Sequence, residues 1–157
     1  MSINEQFNIL YKNEKPKSFD KYKIGIIGAG NIIENAHLPI YKKENLKVSN
    51  IFDLSQEKAE NLKNKFKIDK FSKTLDEFFA DNNFDIVDIA VPSEYNEELI
   101  SKVLYHNKNL LIQKPLSNNF NTAKKIIEKY KKYNLKANVN HQMRYSPSIR
   151  AAKDVLN

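Results

Sequence analysis

Cysteine is absent from the 157-residue sequence, which excludes disulfides and thiolate metal sites. The three histidines, at positions 37, 106 and 141, have no helical ligand spacing between them, so a metal site is not expected. Glycine is scarce, with three residues at positions 25, 28 and 30. None flanks Ser93-Glu94-Tyr95, so that stretch is no hydrolase nucleophile elbow. No apolar run approaches the roughly 20 residues of a membrane span, and a membrane partner is not expected. The opening stretch, MSINEQFNILYKNEKPKSFDKYK, lacks the apolar core of a secretory signal. A cytoplasmic location is the expectation.

What remains is ordinary for a globular chain. Hydrophobic residues make up 41% and charged residues 29%, and the length suits one domain with its own core. The net charge is +7, but the lysines are scattered among Asp and Glu. Only EKYKKYNLK, 128–136, is dense, and its helical spacing reads as a solvated face. Nucleic acid is therefore not the expected partner.

Residues 1–20 are polar, with a few apolar positions at Phe7, Ile9, Leu10 and Tyr11, and read as an N-terminal extension. From there the chain alternates. Apolar, β-branched runs at 22–27, 47–53, 67–72, 84–92, 108–115 and 136–142 predict strands. Amphipathic stretches from 31, then at 55–66, 74–82, 93–107, 121–134 and 146–157, predict helices. Ser55, Thr74 and Ser93 stand as caps, and Pro39 is expected to end or kink the first helix. Strand–helix units in series imply an α/β fold, a doubly wound parallel sheet of about six strands with helices on both faces. Its ligand edge is the carboxyl end of the strands. That edge collects residues 28–31, Asp53, 91–93, 113–115 and His141.

In IGIIGAGNIIENAHLPIY, Gly28 permits a sharp turn and Gly30 a close approach to a diphosphate. The amides of Gly30, Asn31 and Ile32 would face the anion at the positive end of a helix. Ile33 stands where a third small residue would allow close helix–strand packing, so the helix should sit slightly outward. Asp53 closes the second strand, where a carboxylate would hold ribose hydroxyls and repel a 2′-phosphate, favouring NAD over NADP. The alternative is a turn or capping aspartate before Leu54-Ser55. Lys114, directly after a buried strand and before Pro115, suits proton transfer or polarising a substrate oxygen; the alternative is a surface lysine. His37 should pack, His106 should sit at a helix end, and His141 has a place at the strand ends.

With these positions in hand, the chain resembles the Gfo/Idh/MocA oxidoreductases from about residue 21 onward. GIIGAGNIIENAHLP, IFDLSQEKAENLKNKF, IVDIAVPSEYNEELISKVL, LLIQKPLSNNFNTAKKI and NVNHQMRYSPSIRAAKDVL are similar, in order, to segments of that family's nucleotide domain. The resemblance implies a Rossmann-type sheet over 21–157. It implies that Gly28, Gly30, Asn31 and Ile32 bind pyrophosphate, and that Asp53 holds the adenine ribose. Val91 and Pro92 would lie beside the nicotinamide ribose, and Lys114 would contact substrate and help move its proton. Arg144 would border the nicotinamide end. Asn96 stands in place of the family's histidine and Gln113 in place of its glutamate before Lys-Pro; both remain candidate cofactor contacts. The family's second domain, which supplies substrate contacts and an oligomer interface, is not in this sequence. The expected function is the nucleotide-binding half of an NAD-dependent dehydrogenase acting on a secondary alcohol of a sugar, cyclitol or nucleotide-sugar, with a homo-oligomer possible for a longer protein. The alternative is a non-catalytic dinucleotide-binding or regulatory module.

Overall fold

The computed structural model describes residues 21–156; the extension expected over 1–20, with its apolar positions, lies outside the described residues. Residues 21–140 form one compact unit, and residues 141–156 belong to another. Strands β1 (Lys23–Ile27), β2 (Lys47–Phe52), β3 (Lys70–Ser72), β4 (Ile86–Ile89), β5 (Asn109–Gln113) and β6 (Ala137–Asn140) form one sheet. Its order is β3-β2-β1-β4-β5-β6, and every pairing is parallel. The helices are α1 (Leu38–Lys43), α2 (Gln56–Phe66), α3 (Leu75–Ala80), α4 (Asn96–Tyr105), α5 (Phe120–Lys132) and α6 (Pro147–Leu156). The order in which strands are added reverses between β1 and β4, so a crevice opens beyond their carboxyl ends. No helix among the described residues is long and apolar enough to cross a membrane.

Period-two alternation assigns each strand residue to a face. Ile24 and Ile26 of β1 join Ile33, Leu38, Ile51, Ala59 and Leu62 in one core layer. Ile27 turns the other way, into a layer with Phe78, Phe79, Val87, Ile89, Val103 and Ile112. Gly25 shares that second face because the rings of Phe78 and Phe84 press on the strand; an added Cβ would stand 2.7 Å from Phe78. In β4, Val87 and Ile89 supply the apolar face, and Asp88 between them is fully buried on the opposite face.

The chain uses little glycine to end its helices. The left-handed positions after or near helix ends are filled by Asn45, Asn82, Asn107 and Asn134, with φ between 47° and 55°, and by Lys67 at 57°. Asparagine tolerates this region better than other residues carrying a Cβ, so part of the asparagine content has a structural use.

Several expectations need correction. Pro39 does not end the first helix. A π-helical turn, Ile33–His37, precedes α1, and the helix continues through Pro39 to Lys43. The widened π turn lies directly before Pro39, where the missing N–H and the ring would otherwise disturb an α ladder. Ser93 does not cap α4. It opens a 3₁₀ turn, Ser93–Tyr95, without a side-chain cap, and its hydroxyl pairs with the Asn118 side chain instead. Ser55 and Thr74 do cap α2 and α3, accepting from the amides of Lys58 and Glu77. The strands are shorter than their apolar runs: β4 stops at Ile89 and β6 at Asn140, because residues beyond the sheet edge have no partner strand to continue the ladder.

Two substitutions test this packing. Gly25→Ala should destabilise the domain by about 1–3 kcal/mol, since the new methyl overfills a closed layer; urea unfolding reads this. Tyr130 is buried with its hydroxyl unpaired, and burial pushes its ionisation well above the ordinary phenol range. The folded state therefore favours the neutral phenol. That contribution is intact below the unfolded phenol pKa of about 10 and is lost as pH rises beyond it. Tyr130→Phe should raise stability by about 1 kcal/mol near neutrality. It should also weaken the loss of stability above about pH 10, as measured by urea unfolding across that pH range.

Candidate functional site

The turn after β1 is built by contacts that glycine alone permits. Gly28 has φ 107°, and a Cβ there would lie 2.5 Å from the Ala90 carbonyl oxygen. Its amide donates to the Phe52 carbonyl at 2.8 Å, which locks the turn to the end of β2. Ala29 is buried beneath it. Gly30 differs: a Cβ there would meet no heavy atom within 4 Å, so its space is open to a ligand. The first helical hydrogen bond runs from the Glu34 amide to the Gly30 carbonyl at 3.1 Å. The amides of Gly30, Asn31 and Ile32 precede that bond and have no helical acceptor. Asn31 and Ile32 are exposed.

Asp53 sits beside this turn and is part of it. Its Oδ2 accepts from the Ala29 amide at 2.7 Å, and its Oδ1 accepts from the Ser55 amide at 2.8 Å. The turn-aspartate alternative is thus realised, and the carboxylate keeps lone pairs and partial exposure toward the cleft. A concavity of about 520 Å³, lined by Gly28, Asp53, Leu54, Leu75, Val91, Pro92 and Tyr95 among others, opens there. Its volume is within the ordinary range for small-molecule sites. A second one of about 280 Å³ lies on the other side of the turn, lined by Ala29, Gly30, Asn31, Glu34, Lys58 and Asn61. Lys58 is a cation that the sequence reading did not single out. Its signal was its position three residues after the Ser55 cap.

The remaining site residues separate. Val91 and Pro92 line the larger concavity. Lys114 is exposed, follows β5 directly and is joined to Pro115 by a cis peptide. Asn96 does not line either concavity. It is buried, and its Nδ2 donates to the Pro115 carbonyl at 2.9 Å, which holds the Lys114-Pro115 segment from the start of α4. Gln113 points its Nε2 at His37 Nε2, 2.9 Å away. Arg144 lies in the second unit, in the 3₁₀ turn Gln142–Tyr145, with His141 just before it. His106 stands at the C-cap of α4 and stacks on Phe79 with ring centroids 4.5 Å apart.

His37 is buried, as expected, but it packs through polar bonds. Its Nδ1 lies 2.6 Å from Asp88 Oδ2, and the same oxygen accepts from the Tyr41 hydroxyl at 2.7 Å. Asn140 Nδ2 also approaches His37 Nε2, at 3.3 Å. Burial, then the Asp88 charge and its hydrogen bond, push the Tyr41 ionisation far above the usual phenol range. This network escaped the sequence reading. Its signals were a lone acid inside the apolar run IVDIAV and a lone histidine inside AHLPIY.

A glycine turn leading into a helix, a carboxylate at the end of β2 and a crevice at the strand-order reversal are the features of a Rossmann domain. The model of the oxidoreductase family with an NAD-binding Rossmann fold matches residues 22–141, and the chain belongs to that family, Gfo/Idh/MocA. An uncharacterized protein of Saccharomyces cerevisiae is 28% identical over 137 residues, covering 85% of this chain and 39% of the yeast protein. Among solved structures, the Y186F mutant of the 3-ketoreductase KijD10 from Actinomadura kijaniata, in complex with TDP-benzene and NADP, superposes with a TM-score of 0.80. It is 22% identical, covering 86% of this chain and 42% of that one. An oxidoreductase from Agrobacterium radiobacter, in complex with NAD+, L-tartaric acid and magnesium, also gives 0.80 at 24% identity, covering 86% and 40%. The chain thus spans about two-fifths of the length of the relatives it matches.

The double use of Asp53 has a measurable consequence. Asp53→Ala should cost about 1–3 kcal/mol even without ligand, because two backbone amides lose their acceptor. Asp53→Asn, which retains one carbonyl acceptor, should cost less; thermal unfolding of the ligand-free protein separates the two.

Proposed function

We propose that this chain is the nucleotide-binding half of an NAD-dependent dehydrogenase whose substrate is a secondary alcohol on a sugar, cyclitol or nucleotide-sugar. The observation that carries the reading is the open space over Gly30 beside a carboxylate already fastened to the same turn. The amides of Gly30, Asn31 and Ile32 would hold the pyrophosphate. Asp53 would accept the adenine ribose hydroxyls, and its charge disfavours a 2′-phosphate, so NAD is preferred to NADP. Val91 and Pro92 would border the cofactor past the turn. Gln113 would serve the nicotinamide end, and Asn96 would act through the loop that it holds. When bound, the nicotinamide supplies the hydride acceptor. Lys114 would contact the alcohol oxygen and help move its proton; its exposure in this domain leaves room for a second domain to cover it and exclude water. That domain would supply most substrate contacts and an oligomer interface, and the whole protein would work in the cytoplasm.

A non-catalytic dinucleotide-binding module shares the same cradle and differs only in turnover. The resemblance of the Lys-Pro segment and its exposed lysine favours the enzyme.

Calorimetry should show NAD binding more tightly than NADP by about tenfold, the worth of one charge conflict of roughly 1.4 kcal/mol. Gly30→Val should fold normally and lose NAD. In the longer enzyme, Lys114→Ala should retain NAD and lose turnover by at least about 100-fold. Equal turnover in that variant would remove Lys114 from the chemistry, and binding with no dehydrogenase activity in the longer protein would favour the module.

A further inference from the structure

The buried network behind Gln113 has a direction, and the direction decides what this part of the cleft can recognise. Asp88 is fully buried in β4, and its Oδ2 collects the His37 ring and the Tyr41 hydroxyl. A carboxylate can only accept, so the contact at 2.6 Å places a proton on His37 Nδ1. In a neutral ring Nε2 then carries the lone pair. Two side-chain amides converge on that nitrogen, Gln113 at 2.9 Å and Asn140 at 3.3 Å, and each can satisfy it only by donating N–H. Asp88, Gln113 and Asn140 are the polar groups bonded to the ring, and the Tyr41 hydroxyl bonds the same Asp88 oxygen. Asp88 is the only charge among them.

We propose that His37 is a positioning residue: held as the Nδ1–H tautomer by Asp88, it takes the amide N–H of Gln113 and so fixes the Gln113 carbonyl oxygen as the group left for a ligand. Gln113 Oε1 has no intramolecular hydrogen bond among the described residues. It ends β5, directly before Lys114. The ligand group that meets it is therefore a hydrogen-bond donor, such as a carboxamide N–H or a hydroxyl. This inference rests on the reading of the crevice as a dinucleotide and alcohol site, but the state of the His37 ring does not.

A glutamate at position 113 would demand the opposite arrangement. Its carboxylate cannot donate to Nε2, so His37 would bridge two carboxylates as the imidazolium, protonated on both nitrogens. Glutamine at position 113 and a singly protonated His37 are thus a matched pair in this chain.

The test is nitrogen NMR of the ligand-free chain labelled in histidine and glutamine side chains, with H106Q and H141Q used to assign the ring signals. Near neutral pH, His37 should show one protonated nitrogen, Nδ1, and one bare nitrogen, Nε2. A through-hydrogen-bond coupling should link Nε2 to the Gln113 amide nitrogen. In Gln113→Glu both ring nitrogens should be protonated. Asp88→Asn serves as a second variant, and it should loosen the preference for the Nδ1–H tautomer. A wild-type His37 protonated on both nitrogens or on Nε2 alone would overturn the proposal, as would a Gln113→Glu variant with the ring unchanged. None of these readouts needs cofactor, so failure of NAD binding would count against the proposed function alone.

Discussion

The structure turns on one carboxylate that accepts two backbone amides. Asp53 ends β2 and ties the Ala29 amide of the glycine turn to the Ser55 amide that starts α2. Charge-assisted bonds of this kind are stronger than neutral ones. They hold the turn and the second helix in fixed relation to the sheet edge. The Gly28 amide on the Phe52 carbonyl acts in the same sense from the neighbouring strand. A cradle for a diphosphate must be rigid before the ligand arrives, since ordering a loop on binding consumes binding energy. Here the turn is held from β2, and the acid proposed to grip a ribose is also the acid that keeps the turn in shape.

The same economy recurs on the other side of the crevice. Asn96, at the start of α4, holds the carbonyl of Pro115, so the segment carrying Lys114 is set by a residue that touches neither concavity. Behind it, Asp88 and His37 form a polar couple within an otherwise apolar layer. Most buried polar groups are hydrogen-bonded, and the bonds of this couple bear on which atoms of Gln113 remain available. On both sides of the crevice, buried or half-buried acids act on backbone or side-chain groups.

Much of the fold was legible along the chain. Every strand and helix lies within or beside its expected stretch, because the apolar β-branched runs IGII, NIF and IVDI can only be buried between two layers of helices. The glycine turn was equally plain, since two of only three glycines fall where β1 gives way to a helix. Boundaries were less clear. Pro39 looked like a stop, yet a π turn beforehand lets the helix pass it, and Ser93 looked like a cap until Asn118 supplied another partner. Such choices depend on which groups a side chain meets after folding, and sequence spacing does not encode that.

The sequence by itself determined the alternation of elements, the position of the glycine turn and the acid that follows it about one strand later, because periodicity, glycine conformation and charge are local properties. Tertiary structure alone decided that Asp53 bonds the turn it was expected to sit beside, that Asn96 lies behind the Lys-Pro loop, and that His37 joins Asp88, Gln113 and Asn140 across three strands. Those pairs are separated by tens of residues along the chain. Only the parallel crossovers of the sheet bring them within hydrogen-bonding distance, so local pattern marks the lone polar residues but not their pairing.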